Sequence, residues 1–289
     1  RLVVLGGGPI GSELSQAFAR LGSQVTQVEM ADRIMGKEDP DVSEAVTARF
    51  KAEGIDVRTG HTGKGVEVED GQAYLRVQTP DGSEERIAFD RILLALGRKA
   101  RLSGYGLETL GIEADRTILA DEFLQTKYPN IYVAGDVAGP YQFTHTASHM
   151  AWDAAVNALF GQFKRFRVDY SVVPWATFTD PEVAHVGHNE TSAREAGIEF
   201  EVTTYGIDDL DRAIADSEAH GFVKVLTVPG KDKILGVTAT PWRGDGERLE
   251  TIFGEAVFKM GILEGIERGF LSDIEYHMML DNVNWLEVA

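Results

Sequence analysis

An α/β protein whose first unit is a βαβ motif is expected from three features of this 289-residue sequence. A β-branched run at residues 1–5 meets three consecutive glycines and then apolar residues at helical spacing. The hydrophobic period changes to two between residues 65 and 89, and strand and helix patterns alternate again beyond a basic patch around Arg165.

The elements follow in order. Ile10, Leu14, Ala17, Phe18 and Leu21 recur at helical spacing over residues 9–21, Gly22 supplies a stop, and residues 24–29 form a second strand. A strand, glycine turn, helix and strand within about 30 residues make one βαβ unit. Asp39 and Pro40 open another helix, with proline in the tolerant first turn, and Gly54 closes it before a third strand at 55–58. Val66, Val68, Tyr74, Leu75 and Val77, punctuated by Asp70-Gly71 and Asp81-Gly82, predict an antiparallel meander. Residues 91–96 form a buried strand ending at Gly97-Arg98, residues 131–134 a short strand before Gly135-Asp136, and residues 145–160 a helix. Lys164, Arg165 and Arg167 mark a domain boundary. Beyond it lie strands at 172–178, 200–205, 222–228 and 234–240 and helices at 190–196 and 246–260. A tight Pro229–Asp232 hairpin joins the last two of these strands.

Composition excludes whole classes of function. With 28 Lys and Arg against 46 Asp and Glu, the net charge of −18 argues against a surface that grips nucleic acid or anionic lipid, both of which need a cationic field. The sequence has no cysteine, so disulfides, thiolate zinc sites and cysteine nucleophiles are excluded within it. No apolar run approaches the roughly 20 residues that cross a bilayer, and a cytoplasmic protein without a membrane partner is expected. Apolar residues at 43% and charged residues at 26% describe an ordinary globular chain, long enough for two or three domains.

Gly6, Gly8 and Gly11 form G-x-G-x-x-G at the strand-to-helix turn. The first glycine permits the turn, the second lets a pyrophosphate approach the backbone, the third lets helix pack on strand, and the helix N-terminus faces the phosphates. Glu29 closes the second strand where an acid meets a ribose hydroxyl, and its carboxylate would repel a ribose phosphate, so NAD is favoured over NADP. Arg33 is read as a surface salt bridge. A second signal, Thr126 to Asp136, is a strand ending in glycine and an acid before a helix. Asp136 there fits a ligand-bonding acid or a capping residue. His145 and His149 lie four apart on a helix but lack a third ligand, so packing is preferred and no metal site is assigned.

In combination and order these motifs resemble the flavoprotein pyridine nucleotide-disulfide oxidoreductases. The likeness rests on residues 3–11, on Ala95-Leu96-Gly97-Arg98 and on residues 129–136. Residues 173–182 resemble the opening of that family's interface domain, and 212–216 and 221–225 its next strands; Phe143 to Ala147 is most similar to the mercuric-reductase-like and soluble dehydrogenase branches. The resemblance runs from residue 1 to about residue 262. It implies a Rossmann-like NAD domain (1–95) inserted in an FAD domain, of which residues 96–165 are the second part, plus an α+β dimerisation (interface) domain (166–289).

It further implies site residues. Gly6, Gly8, Pro9, Ile10 and Gly11 would hold the NAD pyrophosphate, Glu29 the adenosine ribose, and Gly97 would approach the nicotinamide half. Glu13 is the candidate catalytic residue near nicotinamide and flavin. Asp136 would bond FAD, and Gln142, Phe143, Thr144 and His145 would lie along the flavin. The implied protein is a homodimeric FAD-dependent oxidoreductase passing hydride from NADH to flavin and on to a disulfide, a metal ion or another acceptor. The alternative is a non-catalytic NAD-binding module or subunit. Two departures stand out: no preceding FAD half-domain or cysteine pair is present, and His277 is followed by Met278 where the family has His-Pro and a later glutamate. The sequence is therefore expected to be the C-terminal part of such an enzyme.

Overall fold

In the computed structural model, which describes residues 1–112 and 114–239, the first strand becomes the centre of a parallel sheet. Strand β1 (Leu2–Leu5) pairs in register with β2 (Val25–Val28) on one side and with β7 (Arg91–Leu94) on the other, and β3 (Asp56–Arg58) extends the sheet beyond β2. Helix α1 (Pro9–Arg20) carries proline in its first turn and stops at Gly22, whose φ of +96° is a left-handed conformation that suits glycine. Helix α2 (Pro40–Ala52) starts from Asp39 in the same way and ends before Gly54.

Alternation along β1 assigns the two faces of this sheet. Val4 joins Val25, Val42, Val46, Phe50 and Ile55 under the helices, while Val3 joins Val28, Leu75, Val77, Ile87 and Phe89 on the other face. That second layer is the meander β4 (Thr62–Glu69), β5 (Gln72–Gln78) and β6 (Glu84–Phe89), antiparallel throughout as its period-two pattern predicts. Helices, parallel sheet and meander thus form three layers. Each fully buried valine or phenylalanine contributes about 1.5–3 kcal/mol.

Residues 95–173 contain α3 (Leu107–Leu110), a single 3-10 turn at Gly135–Val137 and α4 (Thr144–Phe160). The strand expected at 131–134 does not form. Its backbone bonds only within the local loop, to Leu124, Thr126 and Tyr128, and the pairing is bounded by Leu124 (φ +64°) and Gly135 (φ +75°), which turn the chain out of the extended conformation. Leu124, Met150 and Ala154 make a small core here, and Ile112, Ile118 and Val133 another.

The rest builds a five-stranded antiparallel sheet in the order β10-β11-β12-β9-β8. Its elements are β8 (Pro174–Thr177), β9 (Val183–Gly187), α5 (Glu190–Glu195), β10 (Glu201–Gly206), α6 (Asp211–Ala215), β11 (Phe222–Thr227) and β12 (Ile234–Ala239). Residues 212–216 are helical, not the expected strand, with Arg212 and Asp216 paired at 2.6 Å one turn apart. Strand β9 was not anticipated, because its inward positions include a histidine, His185, which breaks the apolar pattern. Val183 of β9 packs into the core that Val4 and Phe50 share. The expected helix at 246–260 and His277 lie outside the described residues. Among those described, no helix is long and apolar enough to cross a membrane.

Candidate dinucleotide-binding site

The three motif glycines are glycines for different reasons. Gly6 has φ +120°, and a β-carbon on it would collide with the Ala95 carbonyl. A β-carbon on Gly11 would collide with the Gly6 carbonyl oxygen and meet Ala95. Gly8 has an ordinary extended backbone, φ −74° and ψ −179°, and nothing of the protein lies within 4 Å of where its β-carbon would be. The chain itself therefore requires Gly6 and Gly11, while the space beside Gly8 is open. Gly8 is the N-cap of α1 and offers no side chain to the helix, and Pro9 and Ile10 beside it are exposed. An uncapped helix N-terminus with an open approach is the geometry that accepts a phosphate.

Glu29, just beyond β2, folds onto this turn. Its Oε2 accepts the Gly7 N–H at 2.5 Å and its Oε1 accepts the Ala31 N–H at 2.7 Å. The carboxylate is thus fixed at the turn with lone pairs to spare, since each oxygen offers two. Arg33, partly buried, pairs with Asp32 at 3.5 Å and donates to the Gly36 carbonyl. Beneath the turn, fully buried Gln27 donates to the Gly6 carbonyl and to Ser12 Oγ, both at 3.2 Å, and Ser12 donates to Gly7. Sequence reasoning missed this pair; the only signal was an amide at an inward position of an otherwise β-branched strand.

The second motif lies next to the first through Ala95. From the Gly6 and Gly11 contacts the chain runs to Gly97, which has φ +104° and open space beside it, and to Arg98. Arg98 donates to the Gln142 carbonyl and lies 3.9 Å from the Asp136 carboxylate. Asp136 sits inside the 3-10 turn, whose N-cap is Ala134, and the following helix is preceded by Phe143 as N-cap, so Asp136 caps neither. Thr144 and His145 begin α4, with Phe143 as the N-cap. Phe143 stacks on His145 at 5.4 Å and on Trp175 at 6.0 Å, and Trp175 lies 4.1 Å from His185. His145 and His149 are both exposed, and among the described residues neither belongs to a cluster of metal-ligating side chains.

Glu13 faces the third sheet: its Oε1 accepts the Phe178 N–H at 2.9 Å. One turn on, Gln16 exchanges two hydrogen bonds with the Asp180 backbone, and Arg20 and Arg49 both reach Asp180 Oδ2. Burial raises the Asp180 carboxyl, but the two arginines outweigh it and hold it below its ordinary value. A second contact centres on Lys224, buried on β11, whose Nζ lies within 3.0 Å of Asp39, Asp41 and Glu190 carboxylates. Neither contact was foreseen, since each joins residues more than 120 positions apart.

Comparison with known proteins matches this arrangement to one family. Residues 1–151 match the pyridine nucleotide-disulphide oxidoreductase model, and residues 173–253 match the dimerisation domain of the same family. A mercuric reductase of Lysinibacillus sphaericus is 37% identical over 239 residues, covering 82% of this chain and 43% of that protein. A dihydrolipoyl dehydrogenase of Staphylococcus aureus is 35% identical over 238 residues, covering 82% and 50%. The chain therefore spans about half the length of these relatives. Among solved structures, the HOCl-induced flavoprotein disulfide reductase RclA from Escherichia coli superposes with a TM-score of 0.75 at 26% identity, covering 96% of this chain and 62% of that one. The glycine turn, the Arg98 contact and the antiparallel third sheet thus fall within segments that these matches share, and the chain belongs to the pyridine nucleotide-disulphide oxidoreductase family.

Proposed function

We propose that this chain is part of a homodimeric, FAD-dependent NADH oxidoreductase. In this reading hydride passes from nicotinamide to flavin and on to a disulfide, a metal ion or another acceptor. The observation that carries the reading is the open space beside Gly8 at an uncapped helix N-terminus, with the Glu29 carboxylate pinned to the same turn. When bound, the flavin supplies the hydride acceptance and onward electron transfer that no side chain of this chain provides.

The chain's own residues have binding and orienting roles. The turn from Gly6 to Gly11, Pro9 and Ile10 included, holds the pyrophosphate with backbone N–H groups, and Ser12 and Gln27 fix its carbonyls from beneath. Glu29 accepts ribose hydroxyls and disfavours a ribose phosphate, which makes NADH the preferred donor. Gly97 leaves room for the nicotinamide half. Arg98 ties Asp136 to the segment Gln142, Phe143, Thr144 and His145, whose backbone amides lie along the flavin. Glu13, which keeps one carboxylate oxygen on the Phe178 N–H, remains the candidate catalytic residue, with its second oxygen available to the nicotinamide and flavin. The match to a family dimerisation domain supports the homodimer.

Fluorescence titration of the purified protein with NADH and NADPH tests the donor assignment. Glu29→Ala should weaken NADH at least tenfold, about 1.4 kcal/mol, and leave NADPH unchanged or tighter. Wild-type preference for NADPH would overturn the assignment. Colourless protein that binds NADH but takes up no added FAD would favour the non-catalytic module instead.

A further inference from the structure

Asp180, Glu218 and His220 converge behind the contact between α1 and the β8–β9 turn, away from the glycine turn. One atom of each, Asp180 Oδ1, Glu218 Oε2 and His220 Nε2, lies within 4.8 Å of the others. All three atoms are shut off from solvent and none has a hydrogen-bond partner. Buried polar atoms without a hydrogen bond are costly and uncommon, and here three of them lie together, with His220 Nε2 at ion-pair distance from both carboxylates. From this convergence we infer a divalent-cation site, with zinc as the ion whose chemistry fits.

The spacing supports the ion. His220 Nε2 is 3.3 Å from Glu218 Oε2 and 3.8 Å from Asp180 Oδ1. Zinc bonds to nitrogen and carboxylate oxygen are about 2.0–2.2 Å, which places neighbouring tetrahedral ligands about 3.3–3.6 Å apart. One imidazole with two carboxylates is a nitrogen and oxygen donor set that suits a borderline transition ion better than magnesium or calcium. Arg20 and Arg49 occupy only Asp180 Oδ2, so Oδ1 stays available as a single-oxygen ligand. The charged surroundings are three carboxylates, Asp180, Glu218 and Glu53, against two guanidinium groups, which leaves the pocket with an excess of negative charge. Three protein ligands leave a fourth position for water.

The ion has a structural consequence. Asp180 is docked on α1 through Gln16 and on α2 through Arg49, whereas Glu218 and His220 belong to the turn that leads into β11. A bound cation cross-links that turn to the hairpin docked on α1 and α2. The site is independent of the flavin and nicotinamide assignment.

Equilibrium dialysis of chelator-treated protein against zinc chloride tests the inference, alongside thermal melts with and without zinc. The expected result is one zinc ion per chain that raises the melting temperature. Affinity should fall at least tenfold in both His220→Ala and Glu218→Gln, with circular dichroism matching the wild type. Cobalt substitution should give visible bands of a four-coordinate nitrogen and oxygen site that are lost in His220→Ala. Glu218→Gln nearly preserves side-chain shape, so it decides the matter if His220→Ala misfolds. Absence of zinc binding, or binding that Glu218→Gln leaves unchanged through other surface histidines, would overturn the site.

Discussion

Glu38 Oε2 and His185 Nδ1 meet at 2.8 Å, both side chains almost fully buried, across 147 residues of sequence. The other oxygen of Glu38 accepts the Trp175 indole N–H at 2.8 Å, and His185 Nε2 faces the Gly187 carbonyl at 3.1 Å. One carboxylate of the first α/β unit therefore serves two donors of the third sheet. Glu38→Ala should leave the buried His185 Nδ1 and the half-buried Trp175 indole N–H without their partner, at about 1–3 kcal/mol each. Glu38→Gln retains a carbonyl oxygen and should recover part of the loss. Urea unfolding midpoints measure both, and a Glu38→Ala variant as stable as the wild type would refute the accounting.

The glycine turn makes a sharper distinction. Gly11→Ala should lower stability, because the added carbon collides with the Gly6 carbonyl, which is backbone and cannot swing aside. Gly8→Ala meets nothing of the protein and has a permissive backbone, so its stability should stay within about 0.5 kcal/mol of wild type. Its NADH affinity should nevertheless fall at least tenfold. Thermal melts and NADH titration of the two variants separate the folding role from the binding role. Unchanged NADH affinity in a well-folded Gly8→Ala would show that the open space is not used by the dinucleotide.

The first α/β unit and the meander were legible because their cores are built on local periodicity: Val3 and Val4 alternate, and α1 and α2 begin and end on proline and glycine. The glycine turn was legible for the same reason, since its parts lie within six residues. What sequence could not reveal are polar residues that meet across the chain. His185 and Lys224 interrupt apolar patterns and gain their meaning only from Glu38 and Asp39, which lie in a loop and at a helix cap. The absent strand at 131–134 failed for a related reason: its apolar run is real, but its neighbour turns away at Leu124.

Lys224 makes a pH prediction with a definite sign. Burial pushes the lysine down, but its bonds to Asp41, Asp39 and Glu190 prevail and raise it above its ordinary 10.5. Burial pushes Asp39 up, but Lys224 and the N–H groups of Thr191 and Glu190 prevail and hold it below its ordinary 3.8. The lysine's contribution is complete below pH 10.5 and is lost as pH rises through its higher folded value. The aspartate's is complete above pH 3.8 and is lost as pH falls through its lower folded value. Lys224→Met should cost about 3–5 kcal/mol near neutral pH and move the acid limb of the stability curve to higher pH. Coincident acid limbs in the two proteins would show that the pairing does not depress Asp39.

Arg98 separates flavin binding from stability. Its side chain is about half exposed and its ion pair with Asp136 is 3.9 Å long, a geometry worth at most about 1 kcal/mol. Its bond to the Gln142 carbonyl, however, joins the turn after β7 to the segment that opens α4. Arg98→Ala should therefore melt within a few degrees of the wild type while FAD affinity falls and NADH affinity does not. Arg98→Lys keeps the charge but loses the fork that reaches both partners, so it should restore FAD affinity only in part. Flavin fluorescence titration measures the three proteins together. Equal FAD affinity in all of them would place the flavin contact away from Asp136 and Gln142, and equal loss of FAD and NADH affinity would mark Arg98 as a general support of both sites.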